Sequence, residues 1–410
     1  MPEPRCRLCA ATLRHSLVDL GATPLANGFV TAEQAARGLD RAYPLHARVC
    51  EHCLLVQVDP VVPADHIFSD YAYFSSYSSS WVAHAARYAE AMTHRFALGA
   101  SSLVVEVASN DGYLLQHFQA AGIPVLGVEP AANVAAAARA IGIPTEVAFF
   151  GRATAQALVD RHGHADQIVA NNVLAHVPDM LDFAAGFPIL LQPQGVATFE
   201  FPHLLHLLAR VQFDTIYHEH YAYLSLLVVE RLLLSVGLRV FDVEQLDTHG
   251  GSLRVYACHL AAHHAQAASV AALRRMEAEA ELDRIERYHG FSRRVAAVLE
   301  ELRDFAESCH SQGRRLAAYG AAAKGNTLLN CAGLTDADVI CVADRNPTKQ
   351  GKLLPGSHVP VVTPEALVAA RPDDLLVLPW NIAREITRDM QPLRAQGTRF
   401  WTIAPGLRAL

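Results

Sequence analysis

The chain has 410 residues, enough for two or three domains with adequate cores, and a formal net charge of −7 with 18% charged residues. That balance offers no basic surface for nucleic acid, and no continuous apolar run of about 20 residues is present to span a membrane. Residues 1–9 carry charges and cysteines where a signal peptide needs an apolar core, so a cytoplasmic, reducing setting is expected, with the eight cysteines as thiols or metal ligands.

Two knuckles come first, Cys6-Arg-Leu-Cys9 and Cys50-Glu-His-Cys53. Each turn sets two thiolates on one side of a tight loop, and two turns complete a tetrahedral zinc shell with no position open for water. The spacing is wider than in short zinc ribbons. A pair of redox dithiols is the alternative, and His46 and His52 lie close enough to be exchange ligands. Residues 17–29 and 43–49 read as short strands and loops that the metal holds together, because so small a segment lacks a sufficient core.

An apolar run over 54–58 predicts a strand, and a proline- and aspartate-rich loop follows. Tyr71, Tyr73, Phe74 and Tyr77 are then interleaved with serines. This run suits either a wall of phenols and hydroxyls facing a polar ligand or a surface loop packed by its own tyrosines.

A helix from residue 82 leads into the stretch 103–129, LVVEVASNDGYLLQHFQAAGIPVLGVE. It reads as strand, polar turn (109–112), helix (113–121) and strand (125–128), closed by Glu129. Such units bind adenosine cofactors where loop meets helix, the terminal acid taking the ribose hydroxyls. A dinucleotide loop needs several glycines, and this one has Gly112 alone, beside Asp111, which would repel a diphosphate. S-adenosylmethionine is cationic, and Glu106 and Asp111 suit it, with Ser109, Asn110 and the later Asn171 completing the loop. A nicotinamide cofactor and a ligand-free structural unit are the alternatives.

Strands at 167–170 and 195–201 around a helix at 181–191 imply a mostly parallel, doubly wound sheet. Ligands bind at the carboxyl ends of its strands, where Asn171, Asn172, His176, Glu200 and His203 lie. Either histidine alone reads equally well as a buried core residue. Tyr217-His218-Glu219-His220 is the densest titratable cluster, and a carboxylate there would orient an imidazole and lift its pKa for acid–base work. A helix (224–236), a strand (238–243) and the turn Thr248-His249-Gly250-Gly251 follow, the glycines allowing close approach.

Residues 262–313 have helical periodicity broken near His289-Gly290 and join the domains. A second unit repeats the first: strand 315–319, a turn from Gly320, a helix opening at Lys324 and Asn326, and a strand 339–343 ending in Asp344. A lysine with helix N–H groups forms an anion site suited to nucleotide phosphates. A strand at 375–378 leads to Pro379-Trp380-Asn381, and a purely structural role for this half is the alternative.

Eight motifs occur in order: the double Cys-x-x-Cys, Tyr-x-Tyr-x-Ser-Ser, Glu-x-x-Ser-Asn-Asp-Gly, Asn-x-x-x-His, Tyr-x-Glu-His, His-Gly-Gly-Ser-Leu-Arg, Gly-Ala-x-Ala-Lys-Gly-Asn and Pro-Trp-Asn. Together they resemble the sugar-nucleotide C-methyltransferases of deoxysugar biosynthesis. The resemblance implies an α/β protein with a zinc domain (1–70), a class I S-adenosylmethionine domain (71–260), and a helical linker with a Rossmann-like domain (261–410). It also implies that a 4-keto sugar nucleotide, usually thymidine diphosphate-linked, is deprotonated beside its ketone and the enolate methylated. Carried over, His220 is the base, Glu219 its neighbour, and Tyr217, His176 and Tyr71 surround the sugar. Tyr73 or Tyr77 is an alternative to Tyr71, and Gly320, Lys324, Asn326 and Asp344 attend the nucleotide. Ala108 departs from the family, which often has glycine there. An NAD(P)-dependent oxidoreductase or epimerase and a non-catalytic nucleotide-binding module are the competing readings, and oligomeric state stays open.

Overall fold

The computed structural model describes residues 3–63 and 74–410, so Tyr71 and Tyr73 lie outside the described residues. Three sheets organise the chain. The first contains β1 (His15–Pro24), β2 (Ala42–Val49) and β3 (Val56–Val58), antiparallel to one another. Its edge is completed by a strand from far along the sequence. Each cysteine knuckle turns on one left-handed residue, Ala10 (φ 61°) and Leu54 (φ 63°), and in each the first cysteine exchanges backbone hydrogen bonds with the two residues after the turn.

The central sheet holds β4 (Val104–Val107), β5 (Val125–Val128), β6 (Thr145–Glu146), β7 (Ala165–Asn171) and β8 (Leu191–Pro202), all parallel. β4, β5 and β7 are buried along nearly their whole length because helices cover both faces, with Glu106 and Gln167 as buried polar members. The short strand β9 (Ala222–Tyr223) then leaves this sheet and pairs with β3 of the first. β10 (Leu238–Leu246) and β11 (Ser252–His259) return, with β11 antiparallel to both neighbours. The order β10-β11-β8-β7-β4-β5-β6 reverses direction between β4 and β7, which opens a crevice at the carboxyl ends of those strands.

The third sheet comprises β12 (Leu316–Tyr319), β13 (Val342–Ala343), β14 (Val361–Val362), β15 (Asp374–Val377), β16 (Arg399–Thr402) and β17 (Arg408–Ala409), parallel except for the last. The strand expected over 339–343 shortens to its last two residues. The joining helices are Ala268–Glu279 and Phe291–Ser311, with the break at Gly290 (φ 80°). The second of these is no spacer. Val295, Leu299, Leu302 and Phe305 share one core with Leu45 and Val56 of the zinc sheet and with Ala318 and Leu376 of the third sheet. Both flanking units are thereby packed together around the central one.

Candidate functional site

The loop after β4 is held in an unusual backbone: Ala108 (φ 57°), Asn110 (φ 49°) and Gly112 (φ 81°) are all left-handed. Gly112 has no room for a methyl, since a Cβ would lie 2.9 Å from Ile143. Glu129 fixes the loop, its carboxylate accepting the N–H groups of Asn110 and Ala131 at 2.9 Å each. Asn110 and Asp111 in turn accept backbone N–H groups of Ser75 (2.9 Å) and Ser76 (3.1 Å), so the serine run closes against the loop. Tyr77 does not join them: it is 64% exposed and stacked on Phe74. Glu106 Oε2, Ser109 Oγ, Asp111 Oδ1 and Asn171 Oδ1 are buried without a hydrogen-bond partner among the described residues. Burial, then the charges of Glu129 and Asp111, push Glu106 well above the usual carboxylate range. A dense set of unpaired acceptors around one loop, among carboxyl groups whose ionisation a nearby positive charge would favour, fits a cationic ligand.

Strand register builds the neighbouring wall. Asn171 lies opposite Glu200, Glu200 opposite Arg254, and Arg254 opposite Glu244. Arg254 Nε donates to Glu200 (2.6 Å), and His84 reaches the other Glu200 oxygen at 3.0 Å. Burial raises the Glu200 pKa, but His84 and Arg254 outweigh it and hold the group below its ordinary value. Trp81 stacks on His84 and touches His249, adding an aromatic floor.

The Tyr217–His220 stretch separates its four side chains. The His220 Nδ1–H donates to the Thr215 carbonyl at 2.8 Å, which leaves Nε2 as the lone-pair nitrogen, and the Tyr217 hydroxyl donates to it at 2.7 Å. The His176 ring sits edge-on to His220 with centroids 4.6 Å apart and donates to the Glu219 backbone carbonyl. Desolvation, the neighbouring His176 and the Lys324 charge depress His220 well below the ordinary imidazole pKa.

Glu219 departs from expectation. It turns away from His220, and Asn27 Nδ2 donates to both its oxygens (2.8 and 2.9 Å). Burial pushes it up to about 7 despite Asn27 and the charge of Lys349. The acceptor that orients the imidazole is therefore the Thr215 carbonyl, and the imidazole pKa is lowered rather than lifted. His218 likewise serves the zinc sheet, bonding the Tyr43 and Pro44 carbonyls at 3.2 Å.

In the third sheet Gly320 (φ 92°) is needed because Pro379 Cγ would meet a Cβ at 2.3 Å. Asp344 caps the turn to Asn346 (2.8 Å) and lies 3.7 Å from Lys349. Asn326 is buried, its amide oxygen accepting from Asn330 one helical turn on. The Lys324 ammonium lies 4.5 Å from the Trp380 ring centroid and 3.4 Å from Asn381. Its charge is felt by His220, His249 and Asp214. Asn27 and Lys349 were not singled out as site residues by the sequence, because each reaches the cluster across a domain boundary that local patterning does not encode; Asp214 lies beside the cluster in sequence, but its partner Trp380 comes from the third sheet.

The four knuckle sulfurs lie within 4.8 Å of one another. A tetrahedral zinc shell with Zn–S of about 2.3 Å spaces its sulfurs by about 3.8 Å, so the set fits that ion. Gln57 Nε2 adds an outer hydrogen bond to Cys6 (3.3 Å).

Three family models match in succession: a zinc binding domain over residues 6–68, a methyltransferase domain over 81–243, and a C-methyltransferase C-terminal domain over 247–405. The C-methyltransferase NovU of Streptomyces niveus is 35% identical over 409 residues, spanning 100% of this chain and 97% of that protein. The chain belongs to the C-methyltransferase family. Solved structures give a fainter likeness. Magnesium protoporphyrin IX methyltransferase of Synechocystis PCC 6803 with bound S-adenosylmethionine has 14% identity over 44% of this chain and 81% of its own, with a TM-score of 0.32. An S-adenosylmethionine-dependent methyltransferase of Clostridium acetobutylicum has 12% identity over 42% and 90%, with a TM-score of 0.35. Scores this low add nothing to the assignment. This C-methyltransferase uses S-adenosylmethionine and carries a zinc-binding domain, which removes the nicotinamide and non-catalytic alternatives.

Proposed function

We propose that this C-methyltransferase acts on a 4-keto deoxysugar nucleotide, with His220 removing a proton from the carbon beside the ketone. The observation that carries the reading is the Thr215–His220–Tyr217 chain, which fixes one tautomer and presents a lone pair beside a phenol. A proton beside a ketone is weakly acidic, so its removal needs both a positioned base and hydrogen-bond donation to the enolate oxygen. His220 Nε2 takes the proton, and the Tyr217 hydroxyl turns from Nε2 to the oxygen that becomes negative. Negative charge on that oxygen offsets the desolvation that depresses His220, so the imidazolium is stabilised as it forms. The Lys324 ammonium is near enough for its charge to be felt at His220, and it favours the same developing negative charge. When bound at the β4 loop, the methyl donor supplies an electrophilic methyl on a sulfonium. Glu106, Ser109, Asn110, Asp111, Gly112, Glu129 and Asn171 would hold and orient it. A four-sulfur zinc shell has no position for a ketone oxygen and takes no part in the step. The sugar-nucleotide class is supported by the eight ordered motifs and by the second parallel sheet with Asp344 at a strand end.

His220→Asn is expected to abolish both methyl transfer and solvent exchange of the proton beside the ketone, with S-adenosylhomocysteine binding retained. Undiminished exchange in that variant removes His220 as the base. Product mass spectrometry with a panel of 4-keto nucleotide sugars tests the substrate class, and turnover of none of them sinks it.

A further inference from the structure

We propose that Trp380 and Asp214 are positioning residues: the indole N–H holds the Asp214 carboxylate, and through the turn that carries Thr215 this bond fixes the Thr215 carbonyl and with it the ring and tautomer of His220. The catalytic consequence rests on His220 being the base, whereas the geometric one does not.

The contact is built from both sides. Trp380 follows β15 of the third sheet, and its Nε1–H donates to Asp214 Oδ2 at 2.7 Å across the domain boundary. Two glycine notches seat the Pro-Trp pair: a Cβ on Gly320 would strike Pro379, and a Cβ on Gly250 would lie 2.3 Å from the Trp380 ring. The Gly250 carbonyl accepts from Gln212 Nε2 (3.2 Å), so the indole braces the residue that precedes the turn as well as Asp214 inside it. Asp214 and Thr215 belong to one 3-10 turn, Phe213–Thr215, on which the helix Ala323–Ala332 also packs. The Thr215 hydroxyl donates to the Gln212 carbonyl (2.7 Å), which leaves the Thr215 carbonyl pointing to His220 Nδ1. A three-residue turn has little stiffness of its own. Its one buried acid is tied to a residue of another domain, so the placement of that domain sets where the carbonyl points. Burial brings Asp214 up to about 6, against the Lys324 charge and the indole bond, and an acid this enclosed needs its partner.

The test uses the full-length zinc protein with 15N-histidine, His220 being identified by difference from His220→Asn. The wild type is expected to show the Nδ1-protonated tautomer. Trp380→Phe keeps the ring bulk against Gly250 and removes the donor. It is expected to give mixed His220 tautomers and a loss of kcat of about 10- to 100-fold, as for a small misplacement of a catalytic group. Affinity for S-adenosylhomocysteine should be unchanged, which also marks the protein as folded. Asp214→Asn, whose amide oxygen still accepts from the indole, is expected to keep the tautomer, while Asp214→Ala behaves like Trp380→Phe. This pair carries the same readout if Trp380→Phe does not fold. A wild-type tautomer in both Trp380→Phe and Asp214→Ala overturns the proposal. A mixed tautomer with unchanged methyl transfer and proton exchange upholds the latch and sinks His220 as base.

Discussion

Replacing Glu219 by Gln isolates the cost of burying that acid. Glu219 is 3% exposed, its carboxyl is bonded only by the Asn27 amide among the described residues, and burial pushes it from 4.5 up to about 7. A raised carboxyl pKa means that the folded state binds its proton more tightly than the unfolded chain. Below pH 4.5 both states are protonated and the group contributes nothing; between 4.5 and 7 stability falls as pH rises; above 7 the full penalty is in place. The gap corresponds to about 3 kcal/mol, of which about 2 to 3 kcal/mol develops between pH 5 and 8. Gln cannot ionise, but its amide N–H₂ faces the Asn27 donor, so the variant loses about 1 kcal/mol at low pH. Urea unfolding of both proteins at steps from pH 5 to 8 therefore predicts a divergence: the two are about equally stable at pH 5, and the variant is the more stable by about 2 kcal/mol at pH 8. Subtracting the two curves cancels the other groups that titrate in this range, including Asp214. A difference that stays flat across the range refutes the burial of an uncompensated Glu219.

Ala108→Gly relieves a side chain held at φ 57°, where an L-residue loses about 1 to 2 kcal/mol, against about 0.5 to 1 kcal/mol of added chain entropy. A small gain, up to about 1 kcal/mol, is expected in chemical denaturation, and a loss would show that the methyl packs productively in the cofactor loop. Stripping the metal with a chelator is expected to release zinc, lower the melting temperature and speed amide exchange in β1 to β3, since such sites contribute about 10 kcal/mol to folding in small zinc modules. Methyl transfer should fall with it, because His218 is anchored on that sheet and Glu219 on the turn that follows β1. An apo protein with unchanged exchange and activity refutes the holding role.

Much of the architecture was legible because it is local. Paired cysteines, a β-branched run followed by Ser-Asn-Asp-Gly, and an acid after the next apolar run each declare a turn, a strand or a loop within a few residues. The break before Phe291 was written in one glycine. Side-chain direction around Tyr217–His220 was not legible, because the stretch is neither helix nor strand and carries no period from which facing can be read. Adjacent residues there point to different domains, so nearness of Glu219 to His220 in sequence said nothing of contact. Lys324 was correctly placed at a helix start, but its neighbours Trp380 and Asp214 come from distant segments, and only packing reveals what its charge meets.

The crossing of β9 into the zinc sheet has a consequence for the order in which the chain is made. Both knuckles can close on metal once Cys53 has emerged from the ribosome, but β3 keeps an unpaired edge until Ala222 and Tyr223 arrive. Through the synthesis of the whole intervening stretch, β1 to β3 wait as an incomplete sheet. Over that interval the strands have their own pairing, and the four sulfurs, placed to fit one ion, tie the two knuckles that flank them. The edge is then sealed by the two residues that directly follow Tyr221, whose carbonyl accepts from the Arg7 side chain at 3.0 Å in the finished fold. Birth order thus leaves a metal site in the first sheet able to form well before the last strand of that sheet is translated.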